Sequence, residues 1–134
     1  MSPRPRSRVL VLDDSELALE VIRSALEGEG FEVDAATDLE AFEKHRSNQP
    51  YDALVLDVQL PEAFGDDLGA TLRGVYGIEV PIILLSTLPE AELAKRAVAA
   101  NVWGYVSKSA GLPALVSCIR RATTGGDAKD GKDT

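Results

Sequence analysis

The chain has 134 residues, 45% of them apolar, and its 14 Lys+Arg against 22 Asp+Glu give a formal charge of −8. That length suits one domain with its own core, and the acidic balance argues against this segment wrapping nucleic acid or an anionic membrane by itself. A single cysteine, Cys118, has no partner for an internal disulfide, and no apolar run approaches the roughly 18 residues that span a bilayer.

Residues Met1 to Arg8 carry three arginines, but the apolar stretch behind them is far too short for a signal peptide. The expectation is a soluble, cytoplasmic domain preceded by a flexible segment over 1–7. Short β-rich runs then alternate with amphipathic stretches of helical length. Strands are expected at Arg8–Asp13, Glu32–Ala36, Ala53–Asp57, Val80–Ser86 and Val102–Ser107. The first, third and fourth are almost continuously apolar, as strands covered on both faces should be.

Helices are expected at about Ser15–Glu29, Asp38–Ser47, Asp66–Tyr76, Pro89–Ala100 and Leu112–Thr124. Ser15 and Asp38 suit N-caps, Gly28 and Gly30 suit the end of the first helix, and Asn101 suits a left-handed cap. The first helix sets Ala18, Val21, Ile22, Ala25 and Leu26 on one side, a stripe flanked by Leu17 and Leu19. Five βα units in succession mean a parallel sheet with helices on both faces. The polar 125–134 segment (GGDAKDGKDT) reads as a flexible tail or truncated linker.

In such sheets, function gathers at the carboxyl ends of the strands. Asp13 and Asp14 end the first strand, Asp57 the third and Ser86 the fourth, and the fifth runs to Lys108. Taken singly, each has an ordinary reading: an acidic pair that starts a helix, a polar loop residue, a capping serine, a solvated lysine. Their placement at four strand ends is less easily dismissed. Three neighbouring carboxylates repel unless neutralised, and a hard divalent cation, Mg²⁺ above all, is their natural counter-ion. With the Lys108 charge and the Ser86 hydroxyl, the set could hold a phosphoryl group against one carboxylate.

Over about Arg8 to Thr124 the chain resembles the receiver domain of bacterial two-component response regulators. The resemblance rests on VLVLDDS, on LVLDVQLPEAFGDDL with Pro61 four and Gly65 eight residues past Asp57, on IILLS, and on GYVSK. It implies a flavodoxin-like (CheY-like) α/β fold, with a five-stranded parallel sheet in the order 2-1-3-4-5. The domain would fill 8–124 and work as a phosphorylation switch, not as an enzyme on external substrates. Asp57 would be the phosphoacceptor, served by a histidine kinase or histidine phosphotransfer protein. Mg²⁺ or Mn²⁺ would be held by Asp14 and Asp57, by Asp13 mainly through water, and by the Gln59 backbone carbonyl. Lys108 would pair with the phosphoryl group, and Ser86 and Tyr105 would move together as the switch. The face formed by the fourth helix, fifth strand and fifth helix would serve output, including a homodimer, and a C-terminal effector domain could follow the linker.

Some features depart from the common pattern, tune it or carry two readings. Ser109 stands where Pro often follows the lysine in a cis peptide; a cis bond before Ser would cost roughly 2.5–4 kcal/mol. Thr87 replaces the commoner small residue and is expected to narrow access to Asp57. Gln59 and Leu88, each two residues past a site residue, would influence the lifetime of the phosphoryl group. Leu17, Leu19 and Trp103 read either as packing residues or as partner contacts, whereas His45 reads as a surface residue of the second helix. The rivals are a pseudo-receiver that never takes phosphate, a flavin carrier and an aspartyl phosphohydrolase. The intact acidic set opposes the first, the DDSEL loop would repel a flavin phosphate, and 134 residues leave little room for a substrate cap.

Overall fold

The computed structural model describes residues 7–57 and 80–124. Its elements are β1 (Arg8–Leu12), α1 (Glu16–Gly28), β2 (Glu32–Ala36), α2 (Leu39–Asn48), β3 (Ala53–Asp57), β4 (Ile82–Ser86), α3 (Glu90–Ala100), β5 (Gly104–Ser107) and α4 (Leu112–Thr123), with a 3₁₀ turn over Lys108–Ala110. The helix expected at 66–76, and the segments 1–6 and 125–134, lie outside the described residues, as does Gln59.

All four strand pairings are parallel, and the sheet order is β2-β1-β3-β4-β5. Alternation along the strands divides the core in two. Leu10, Leu12, Leu54, Leu56, Ile82 and Leu84 pack with Phe42 of α2 and with Leu93 and Ala97 of α3. Val9, Val11, Val55, Ile83 and Leu85 pack with Leu19, Ile22 and Leu26 of α1 and with Leu115, Cys118 and Ile119 of α4. Because both faces are covered, β1, β3 and β4 show no polar alternation, as their sequences foretold.

The expected punctuation forms. Ser15 Oγ accepts from the Ala18 N–H at 3.1 Å and Asp38 Oδ1 from the Ala41 N–H at 2.8 Å, satisfying donors that a helix start leaves open. Past α1, the Gly30 N–H reaches the Glu27 carbonyl at 3.1 Å with φ +98°, a conformation that suits glycine. Asn101 takes the left-handed conformation, φ 57° and ψ 45°, behind α3.

Four expectations need correction. β1 stops at Leu12, and Asp13 follows it as a loop residue. β4 starts at Ile82, because Pro81 has no N–H to give the ladder. β5 is Gly104–Ser107, and the chain turns through the 3₁₀ segment at Lys108 rather than running straight on. In α1 the buried line is Leu19, Ile22 and Leu26, spaced i, i+3 and i+7, while Val21 is 47% exposed. Leu19 is therefore a core residue and not a partner contact.

No helix among the described residues is long and apolar enough to cross a membrane. The lone cysteine lies buried in α4, and burial pushes its thiol up to about 11, against a smaller opposing pull from Arg121. An unfolded thiol with a pKa of 9.0 loses its proton first, so between pH 9.0 and about 11 the folded state holds more protons and stability falls as pH rises. Urea midpoints at ~pH 8 and ~pH 10.5 should therefore fall less for Cys118→Ala than for the wild type.

Candidate functional site

Parallel strands end on one edge, and the acidic and basic groups meet there. Asp13 and Asp14 follow β1, Asp57 closes β3, Ser86 closes β4 and Lys108 follows β5. Each of the three aspartates offers a carboxylate oxygen within 4.8 Å of the others. Asp13 is fully buried, Asp57 is buried at the end of an apolar strand, and Asp14 is open to solvent.

The buried charges are held by specific donors. Asp13 Oδ1 accepts the Ser15 N–H at 2.9 Å, which fixes the turn into α1. Asp13 Oδ2 accepts from Lys108 Nζ at 2.8 Å, and the same ammonium lies 3.6 Å from Asp57 Oδ2. Burial on its own would lower the Lys108 pKa. The hydrogen bond to Asp13 and the charges of Asp57 and Asp13 outweigh it and hold the ammonium above its usual range. Among the described residues one ammonium faces three carboxylates, a formal surplus of two negative charges. An all-oxygen donor set with that surplus, opened to solvent by Asp14, fits a hard divalent cation such as Mg²⁺.

Ser86 is fully buried, and its Oγ accepts the Leu88 N–H at 3.0 Å. In register it sits opposite Ser107 of β5. Thr87, next in line, is exposed. Tyr105 is half-buried on β5, packed against the α2–α3 side of the core and facing a cavity shared with Glu90 and Arg121. The fold thus brings Asp13, Asp14, Asp57 and Lys108 together and puts Ser86 on the same edge, with Tyr105 further back on the neighbouring strand. The Lys108–Ser109 peptide is trans.

The two remaining partner candidates differ. Leu17 is 76% exposed on α1, beside an apolar groove of about 360 Å³ that runs to Leu112 and Lys108. Trp103 is half-buried, packed on the α1–α4 side of the core with the Arg121 guanidinium 6.0 Å from its ring centre. His45 is half-buried on α2 rather than a plain surface residue. The sequence reading gave Ser107 no role; its side-chain oxygen lies 2.8 Å from that of Ser109, beside Lys108. The S-K-S spacing was the available signal.

The sequence matches the family described as "Response regulator receiver domain" over residues 9–120. The chain belongs to that family, whose members are signalling domains that partner with histidine kinases. It is 33% identical over 114 residues to the response regulator MprA of Mycobacterium tuberculosis, covering 84% of this chain and 49% of that protein. It is 33% identical over 121 residues to the aerobic respiration control sensor protein ArcB of Escherichia coli, covering 89% and 15% respectively. The chain thus spans about half, or less, of the curated relatives it matches. Among solved structures, the receiver domain of a Francisella response regulator superposes with a TM-score of 0.81 at 24% identity, covering 90% of this chain and 98% of that one. A CheY-like receiver from Methanospirillum hungatei gives 0.77 at 21%, covering 90% and 95%. These likenesses support the flavodoxin-like fold.

Lys108 is the counter-charge for Asp13, so its removal should leave a buried carboxylate short of a partner. Lys108→Met is expected to lower stability by about 1–3 kcal/mol in metal-free buffer. Adding Asp13→Asn should recover part of that loss in urea titrations, which a double-mutant cycle would quantify.

Proposed function

We propose that this chain accepts a phosphoryl group on Asp57 from a histidine kinase or a histidine phosphotransfer protein, and passes the change to its α3–β5–α4 face. The observation that carries this reading is the Lys108 ammonium, 2.8 Å from Asp13 and 3.6 Å from Asp57 within a trio of carboxylates. A structural ion pair needs one acid, whereas this lysine faces two beside a third.

In the proposed step an Asp57 carboxylate oxygen attacks phosphorus, and a new P–O bond forms. The P–N bond of the phosphohistidine breaks, and its electron pair stays with the imidazole. Asp14 and Asp57, with Asp13 through water and the Gln59 carbonyl, would hold Mg²⁺ or Mn²⁺, which would supply positive charge for the phosphoryl oxygens. Lys108 then pairs with the phosphoryl group, exchanging part of its contact with Asp57 for a stronger one. Ser86 gives up the bond it accepts from the Leu88 N–H and donates its hydroxyl to a phosphoryl oxygen, and Tyr105 turns inward as that segment moves. Such a ligand shifts a two-state element only through differential contacts, and Ser86 and Lys108 supply them. Later attack of water on the acyl phosphate returns Asp57 to the carboxylate.

On this reading Leu17 and its groove meet the phosphodonor, and Trp103 borders the output face, where a second copy could bind. The domain occupies 8–124 and acts in the cytoplasm, either through its own protein contacts or through an effector domain. It contacts neither nucleic acid nor membrane itself.

Intact mass after incubation with acetyl phosphate and Mg²⁺ tests the central step. One added phosphoryl mass is expected, and it should vanish with Asp57→Asn and with EDTA. No gain from either acetyl phosphate or a phosphorylated kinase would favour a phosphorylation-independent interaction module. Thr87→Ala should speed labelling by acetyl phosphate by opening access to Asp57; equal initial rates would reject that role.

A further inference from the structure

Lys108 can serve both Asp13 and Asp57 only if its backbone leaves β5 in one direction, and the chain there contains no proline to fix that direction. Instead Ser107, the last residue of β5, folds its side chain over the turn. Its Oγ accepts the Ser109 N–H at 3.2 Å and lies 2.8 Å from Ser109 Oγ. The Lys108 carbonyl accepts the Gly111 N–H at 3.2 Å and closes the turn from the other end. Gly111, at φ +91°, then directs the chain into α4. Lys108 is thus gripped between a side-chain cap on one flank and a backbone bond on the other.

We propose that Ser107 is a positioning residue: its hydroxyl caps the Lys108–Ala110 turn and so aims the lysine ammonium at the acidic group. The inference rests on the receiver reading only for its consequence in phosphoryl binding. It does not rest on it for the geometry. Ser109 is exposed, so solvent can satisfy its N–H if the cap is lost. What the cap supplies is direction more than stability. The backbone N–H of Ser109 is the group that Ser107 holds, so Ser109→Ala should behave as wild type.

The test compares Ser107→Val, which keeps the shape of threonine without a hydroxyl, with Ser107→Thr, which restores it. Nitrogen-15 lysine spectra, assigned with Lys108→Met, follow the Lys108 ammonium, whose signal is visible while its bond to Asp13 slows proton exchange. The signal should persist in wild type and in Ser107→Thr and fade in Ser107→Val. In parallel, calorimetry with beryllofluoride and Mg²⁺ measures binding of a phosphoryl mimic on Asp57. Affinity should fall about 3- to 10-fold in Ser107→Val, the worth of one neutral hydrogen bond, and recover in Ser107→Thr. An unchanged ammonium signal in Ser107→Val, or loss of it in both variants, would overturn the proposal. A wild type that binds no mimic and takes no phosphoryl group would sink the receiver reading, while the ammonium signal would still decide the role of Ser107.

Discussion

The structure depends on how one lysine balances buried negative charge. Asp13 has no solvent exposure and Asp57 almost none, so each carboxylate needs donors and a counter-charge in place of water. Lys108 comes from 95 residues further along the chain to provide it. The bond therefore ties the last strand of the sheet to the first, across β3 and β4. It also leaves the site short of positive charge, the condition in which a cation or a phosphoryl group with its metal can bind. A site neutralised by its own side chains would have nothing to gain from either.

Much of this was legible in the sequence, for a geometric reason. Strands covered on both faces need unbroken apolar runs, and RVLVL, ALVLD and IILLS have them. Each run ends at a polar residue where the cover stops, so Asp13, Asp57 and Ser86 could be assigned to one edge before any contact was known. The edge strand β2 has the expected bounds, whereas the other edge strand, β5, was harder to bound, because one side of it is open and its polar residues carry no such penalty. β5 begins two residues later than Val102 suggests, although Trp103 already donates its N–H to the Ile82 carbonyl at 2.9 Å.

What stayed hidden was side-chain direction. On α1, both Leu19 and Val21 lie within reach of the apolar stripe, and only packing against the sheet chooses Leu19. Likewise Arg120 and Arg121, in the last turn of α4, suit the helix end they occupy, which on sequence alone is reason enough for them. Arg120 instead reaches Glu29 at 2.7 Å and lies over Phe31, linking α4 to the turn after α1, while Arg121 lies over Trp103. Ser107 escaped notice for the same reason: a hydroxyl that bonds two residues ahead leaves no periodic trace.

The division of the core by alternate residues has a further consequence. Consecutive residues of β1, β3 and β4 belong to opposite compartments, so adding or deleting one residue within a strand would exchange the contents of both. The carboxyl-edge joints at 13–15 and 108–111 are equally unforgiving, since they aim Asp13, Asp14 and Lys108. A change of length is borne better at the other rim, in joints such as 29–31 and 49–52, which lie away from the charged groups. An insertion there would leave the register of the strands and the aim of Asp13 and Lys108 unchanged.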